Sequence, residues 1–171
     1  MQILSTPRLT IRYLTTDDSA FILELLNDPA FIKNIGDRGV RNLEDAQKYI
    51  LNGPVAMYEK YGFGLFLVEL TAEKLPIGMC GLLKRDSLED VDIGFAFLPQ
   101  FTSKGYAFES ASAVCEWGRH VHQLKRIAGI VNPDNEGSIR LLEKLGMKYE
   151  RMILMPGDKE EIKYFAVEYK D

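Results

Sequence analysis

The sequence predicts an α/β (α+β) fold, a mixed and mostly antiparallel sheet flanked by helices, formed by one domain over residues 1–171. Three observations carry this. Short segments of alternating apolar and polar residues recur between Leu9 and Pro99 and again after Met147, the pattern of half-buried strands. After Gly105 the period lengthens, so that Ala107, Ala111, Val114, Cys115, Gly118 and Val121 fall on one face of a helix. The stretch from Val91 to Val131 reads strand, helix, strand; such a connection crosses over right-handed and puts Phe95 and Ile130 on neighbouring parallel strands.

Taken in order, Leu9, Ile11 and Tyr13 alternate with polar residues as a strand. Thr15 and Thr16, ahead of Asp17, Asp18 and AFILELL, then open a capped amphipathic helix. Between Asn42 and Tyr61, LEDAQKYIL and VAMYEKY predict two short helices separated by a Gly53-Pro54 break, with Asn42 capping the first. FGLFLVEL (Phe63 to Leu70), the turn TAEK and PIGMCGLLKR (Pro76 to Arg85) form a hairpin, and VDIGFAFLP (Val91 to Pro99) makes it a three-stranded meander. RIAGIV (Arg126 to Val131) is a buried strand, SIRLLEKL (Ser138 to Leu145) a helix stopped by Gly146, and MKYERMILM with IKYFAVEY a last hairpin around PGDK.

Composition removes several function classes. With 46% hydrophobic and 27% charged residues, the chain sustains a core without disulfides or a structural metal, and disordered and collagen-like classes are excluded. A net charge of -4 weighs against a nucleic-acid partner, which calls for a basic stripe. The opening MQILSTPRLTIR lacks a signal pattern and no run of about 18 apolar residues occurs, so a cytoplasmic protein with no membrane partner is expected. Cys80 and Cys115 lie in apolar surroundings and read as buried reduced thiols. Together with His120 and His122 they show no ligand spacing, so no metal is expected.

Two segments carry chemistry. In FLPQFTSKGYAFES a strand ends at Pro99 and a small-residue loop opens a helix at about Lys104, leaving successive backbone amides at the positive end of a helix dipole, where phosphate oxygens can be held. Lys104 adds a charge. It is neither a P-loop nor a dinucleotide fingerprint. In IVNPDNEGSIRLLEKLGMKYE a strand ends at Asn132 and a helix follows, so Asn132, Asn135 and Ser138 face the same crevice if the two strands are neighbours. The alternative for Asn132 is support of the Pro133 turn, and for Asn135 a plain helix cap.

With the opening TPRLTIRYLTTDDS and the strand VDIGFAFLP, these segments resemble, over nearly the whole chain, the GNAT superfamily of acetyl-CoA-dependent N-acetyltransferases. Within it they resemble the ribosomal-protein-alanine (RimJ/RimL-like) branch. The resemblance implies that the parallel pair, Val91 to Leu98 and Arg126 to Val131, splays to admit the pantetheine arm of acetyl-CoA. That arm would bond main-chain groups near Phe95, Phe97 and Leu98. It implies the pyrophosphate on the amides of Ser103, Lys104, Gly105, Tyr106 and Ala107, with Asn132 and Asn135 at the pantetheine or the helix start. Two positions depart from the family pattern: Thr102 stands where Gln or Arg is usual, and Leu142 where many relatives carry a tyrosine that protonates the departing thiolate.

Direct attack of an amine on a thioester needs the amine neutral. At pH 7 roughly a tenth of α-amines but only about one lysine in 2,500 is neutral, so an α-amine acceptor tolerates a distant carboxylate acting through water. Asp92 is the first candidate for that base, on the strand face shared with Gly94 and Ala96, and Glu109 the second; Glu89 and Asp90 read as turn residues. Ser138 is the hydroxyl nearest the departing thiolate by resemblance, and the backbone amide near Phe97 the oxyanion donor. Cys115 and the histidines form no nucleophile-base pair. The expected activity is acetyl transfer to a primary amine, foremost a protein N-terminus. The alternatives are a small amine (polyamine, amino acid or aminoglycoside), drawn to Asp37, Glu44 and Asp45 in the segment from Asn34 to Asn52, and a non-catalytic acyl-CoA-binding protein. The state is monomer or homodimer, Tyr164, Phe165 and Tyr169 being either an exposed dimer surface or ordinary strand residues.

Overall fold

The computed structural model describes residues 1–170. Eight strands form one sheet in the order β1-β2-β3-β4-β5-β6-β8-β7. They are β1 (Gln2–Ser5), β2 (Leu9–Arg12), β3 (Leu65–Leu70), β4 (Leu75–Leu83), β5 (Asp92–Phe97), β6 (Arg126–Val131), β7 (Lys148–Ile153) and β8 (Ile162–Glu168). Six α-helices, α1 (Ser19–Leu26), α2 (Pro29–Asn34), α3 (Leu43–Ile50), α4 (Ala56–Tyr61), α5 (Tyr106–Val121) and α6 (Glu136–Lys144), flank it. Every neighbouring pair is antiparallel except β5 and β6.

The two faces of the sheet are covered differently. On one face Ile93, Ile127 and Phe165 pack with Ala111 and Val114 of α5 and Leu142 of α6. On the other, α1 and α3 bury Ile22, Leu25, Ala46 and Ile50 over Leu67 and Met79. That helical cover ends at β5. Beyond it, Ala128, Tyr164 and Ala166 on the same face are covered by Leu88 from the β4–β5 loop, not by a helix.

The strands, α5 and the caps follow the sequence closely. Thr15 and Asp18 form a reciprocal capping box, and Asn42 accepts the amide of Asp45 at 2.8 Å. Three features differ. β1 and α2, of four and six residues, are too short for a periodic signal. Residues Leu51–Val55 form a π-helical turn that joins α3 to α4, so Gly53-Pro54 does not break the chain; Pro54 is buried in the widened turn. Tyr164 and Phe165 are 0% and 3% exposed, which corrects their reading as a dimer surface. They fill the core because β8 is flanked on both sides, and the exposed apolar residues of the hairpin are Tyr149, Met152 and Leu154.

The parallel pair touches at one place only. Asp92 is in register with Ala128, and the Ala128 N–H donates to the Val91 carbonyl at 2.9 Å; no other β5–β6 register pair forms. From there the strands splay toward their C-terminal ends, and β5 passes from buried at Asp92 and Ile93 to half-buried from Gly94 to Phe97.

Candidate active site

The donor side of the splay follows from strand alternation. Main-chain groups of successive residues point to opposite edges of a strand. The Val91 carbonyl points at β6, so the N–H and C=O of Phe95 and Phe97 point into the gap, toward β6. Leu98 is turned away: its N–H donates to the Ile77 carbonyl at 3.0 Å, its carbonyl accepts from Phe101 at 2.9 Å, and its side chain is buried under α1 and α3. The Leu98 N–H is therefore not free for the main-chain contact expected there.

At the mouth of the gap stands the start of α5. Asp28, Asn42 and Asn135 take the first amides of α2, α3 and α6, but the N-cap of α5 is Gly105, with no side-chain cap. Ser103 and Gly105 take left-handed conformations (φ 61° and 86°) on either side of Lys104, a chain reversal that turns neighbouring amides to one concave side. The amides of Ser103, Lys104, Gly105, Tyr106 and Ala107 thus cluster at the positive end of a 16-residue helix with no side-chain acceptor among the described residues. Behind the loop, Arg8 donates to the Lys104 carbonyl at 3.1 Å and lies 4.3 Å over the Tyr106 ring. Thr102 spends its hydroxyl on the Pro99 carbonyl, 2.7 Å away. This uncapped amide cradle suits a diphosphate.

Glu109 is not placed as a base. It accepts from the Thr6 hydroxyl and from both the amide and the Nε of Arg8. Burial opposes its ionisation, but these partners outweigh it and hold the carboxyl below its ordinary range. It braces β2 and the turn before it against α5.

Asp92 is different. Its register with Ala128, which pairs with Ala166, puts it on the face that carries Ala96 and Tyr164, opposite α5. The residue is 0% exposed, and Arg85 reaches both carboxylate oxygens, Nε at 3.1 Å and Nη2 at 3.3 Å. Burial raises its pKa to about 6 in spite of that cation. Arg85 is a third exposed, and with Arg38 it lies close enough to Tyr49 of α3 to oppose the upward shift that burial gives the phenol. Asp90 is more than a turn residue: it accepts from the Tyr164 hydroxyl and from Arg126 at 3.0 Å, tying the β4–β5 loop to β6 and β8. Beside it a crevice of about 640 Å³ opens between Ser87–Glu89 and Arg151, Ile153 and Met155.

On β6 and α6, Asn135 accepts the Ser138 amide at 3.3 Å and so caps the helix, while the Ser138 hydroxyl makes no hydrogen bond among the described residues. The Asn132 side chain donates to the Asn34 carbonyl at the end of α2, 3.1 Å away. Leu142 is 1% exposed and packs where Gly129 leaves room: a Cβ at Gly129 would come within 2.6 Å of it. This position belongs to the core between α6 and β6. Cys80 and Cys115 are buried, and burial pushes the Cys115 thiol up to about 12. His122 lies against Trp117 and Phe63 at the far end of α5. Among the described residues no cluster of His, Cys, Asp or Glu is placed to hold a metal ion, and no helix is long and apolar enough to cross a membrane.

Residues 8–148 match the family model described as the acetyltransferase (GNAT) domain. The chain belongs to the GNAT acetyltransferase family. An uncharacterized N-acetyltransferase of Bacillus subtilis (strain 168), YnaD, is 33% identical over 147 residues, spanning 86% of this chain and 83% of its own. The GNAT fold is shared with RimL, the ribosomal L7/L12 α-N-protein acetyltransferase, solved with coenzyme A (TM-score 0.83, 14% identity, 98% of each chain). It is shared too with a spermidine N-acetyltransferase, a SpeG chimera from Vibrio cholerae and hSSAT (TM-score 0.76, 19% identity, 94% of this chain and 95% of that one). The protein is thus an N-acetyltransferase with acetyl-CoA as its donor. Sequence reasoning missed Arg85, which reaches Asp92 from the loop after β4. The only trace of Arg85 was a cation seven residues before Asp92.

Proposed function

We propose that this enzyme acetylates the α-amine of a peptide or protein N-terminus by direct attack on acetyl-CoA. The observation that carries the peptide reading is the charge of the acceptor wall. Two of the three acids that would draw a polycation are already paired, Asp37 with Arg41 and Glu44 with Lys48 at 3.4 Å, and Asp45 accepts the main-chain amide of Arg41 at 3.0 Å. Arg38 and Arg85 both lie within electrostatic reach of Tyr49 on α3. A chain carrying several ammonium groups finds little to hold it there. An acceptor with a single amine, a tenth of it neutral at pH 7 by the ordinary value, needs little beyond alignment.

In the proposed reaction the diphosphate rests on the amides of Ser103 to Ala107, and the pantetheine arm runs along the free main-chain edge at Phe95 and Phe97. The amine nitrogen attacks the thioester carbonyl carbon, whose oxygen takes negative charge beside the Phe97 N–H. Asp92, at the other end of β5, accepts the proton that nitrogen loses through a chain of waters along the gap. The C–S bond then breaks, the acetyl group stays on nitrogen, and the departing thiolate accepts a hydrogen bond from the Ser138 hydroxyl on the first turn of α6, then takes its proton from solvent, to which Asp92 returns the one it accepted. Leu142 cannot take part, and Ser138 stands in its place. Asn135 contributes its cap and leaves its amide nitrogen to the arm.

A panel comparing tripeptides of varied first residue with spermidine, free amino acids and an aminoglycoside, read by thiol release from acetyl-CoA, tests this. Peptides are expected to exceed spermidine in kcat/KM by at least tenfold, a difference that about 1.4 kcal/mol of transition-state binding supplies. Spermidine leading the panel would overturn the peptide reading, and binding of acetyl-CoA with no turnover on any amine would favour an acyl-CoA-binding protein.

A further inference from the structure

We propose that Asn132 is a positioning residue that couples occupancy of the donor cleft to the order of the acceptor wall, an inference that rests on the acetyl-transfer reading above. The Asn132 side-chain N–H donates to the Asn34 carbonyl at 3.1 Å, joining residues 98 apart in sequence. That carbonyl belongs to the last residue of α2, one of the helix-end acceptors that lack an intrahelical donor. With six residues, α2 is far too short to hold itself together and depends on what grips it.

Three grips exist. At its start, Asp28 accepts the amides of Ala30 and Phe31, and the Phe31 side chain is buried. Past its end, the Asn27 side chain donates to the Val40 carbonyl at 2.8 Å. Between these, Gly36 (φ 127°) and Gly39 (φ 72°) take conformations open to glycine, with nothing within 4 Å of where a Cβ would stand, so no side-chain packing fixes the backbone at these two positions. The third grip is Asn132, the one that comes from the donor side, at the C-terminal end of β6 where the splay is widest.

An asparagine side chain has two N–H donors and a carbonyl oxygen. One donor is spent on Asn34; the second donor and the oxygen remain for an amide of the pantetheine arm. One side chain therefore spans the arm and the wall. A ligand that fixes the Asn132 rotamer removes freedom the latch would otherwise have to lose, so arm and wall order one another, and the coupling runs equally in both directions. The acceptor wall of the empty enzyme is loosely latched, and donor binding tightens it before the amine arrives.

The test is amide hydrogen exchange on the full chain, with and without saturating coenzyme A, alongside calorimetric titration of the same ligand. The probes are the amides of Ile35 and Gly36, which both donate to the Phe31 carbonyl at the end of α2. In the native protein coenzyme A is expected to slow their exchange about fivefold or more, the scale of one net hydrogen bond. Asn132→Asp keeps the size and replaces the donor with an acceptor; Asn132→Ala removes both, and using the two guards against one failing to fold. Each is expected to speed exchange at Ile35 and Gly36 about fivefold without ligand and to abolish the response to coenzyme A, while coenzyme A still binds and exchange within α5 stays as in the native protein. Unchanged exchange in the variants, or a coenzyme A response that survives in them, would overturn the coupling. Failure of the native protein to bind coenzyme A shows in the titration alone and would overturn the acetyl-transfer reading beneath it.

Discussion

Burial at the base of the splay holds Asp92 near pKa 6, whereas in the unfolded chain the carboxyl titrates at its ordinary 3.8. Such a group stabilises the fold fully below pH 3.8 and loses that contribution as pH rises through about 6, so at pH 7 its ionised form costs on the order of 3 kcal/mol. Asp92→Asn keeps the shape and drops the charge. Its thermal midpoint at pH 7 is expected to be no lower than that of the native protein, while turnover falls roughly 10²- to 10⁴-fold, the range for lost general-base assistance. The native kcat/KM is expected to decline below about pH 6. Because Arg85 pulls the carboxyl down, Arg85→Gln moves that acid limb to higher pH. An acid limb unchanged in both variants would exclude Asp92 as the base. Alternation along β5 put Asp92 on the right face from sequence alone. The cation that tunes it was not legible, because the path of the loop from Lys84 to Val91 depends on tertiary contacts of Leu88 and Asp90 and on no local spacing.

Helix α5 was read almost to the residue, and the end the sequence marked with glycine has no side-chain cap. Apolar periodicity specified the buried face, and Thr15, Asn42 and Asn135 were legible as caps because capping needs only one side chain and the next few amides. β1, α2 and the π-helical turn were not: the first two are shorter than one period of signal, and Pro54 ordinarily ends a helix. Leu98 failed for a related reason, since which edge of β5 its N–H faces depends on the register with β4. At the start of α5 the conformation itself is testable. Gly105 has φ 86°, and a Cβ there would meet the Arg8 guanidinium at 3.3 Å. Gly105→Ala is expected to cost about 1–2 kcal/mol of stability from the left-handed backbone and to weaken coenzyme A binding tenfold or more, because the cradle amides turn with it. Calorimetry separates the two: a variant that binds coenzyme A as tightly as the native protein would show that the amides beside Gly105 do not hold the diphosphate.

For the molecule as a whole, the decisive feature is that β1–β5 and β6–β8 share one sheet but join at a single register pair, Asp92 with Ala128. The parallel pair was readable from the crossover, whereas the splay entered only through family resemblance, because nothing in VDIGFAF or RIAGIV forbids a full ladder. Holding two half-sheets apart leaves main-chain groups of Phe95 and Phe97 without strand partners, a loss the fold carries until a strand-like ligand fills the gap. The donor should therefore act as a missing strand. One-site binding at ~100 times Kd adds about 2.7 kcal/mol, which for a domain of this size raises the unfolding midpoint by roughly 5–10 °C. ADP offers the diphosphate to the α5 cradle and nothing to the cleft. At equal millimolar concentration coenzyme A is expected to raise the midpoint well beyond ADP, and its excess is expected to appear as slowed amide exchange at Phe95 and Phe97, which face the gap. Equal midpoints with the two ligands, and unprotected amides at Phe95 and Phe97 under coenzyme A, would mean that the diphosphate alone binds and that the gap between the half-sheets is not the path of the arm.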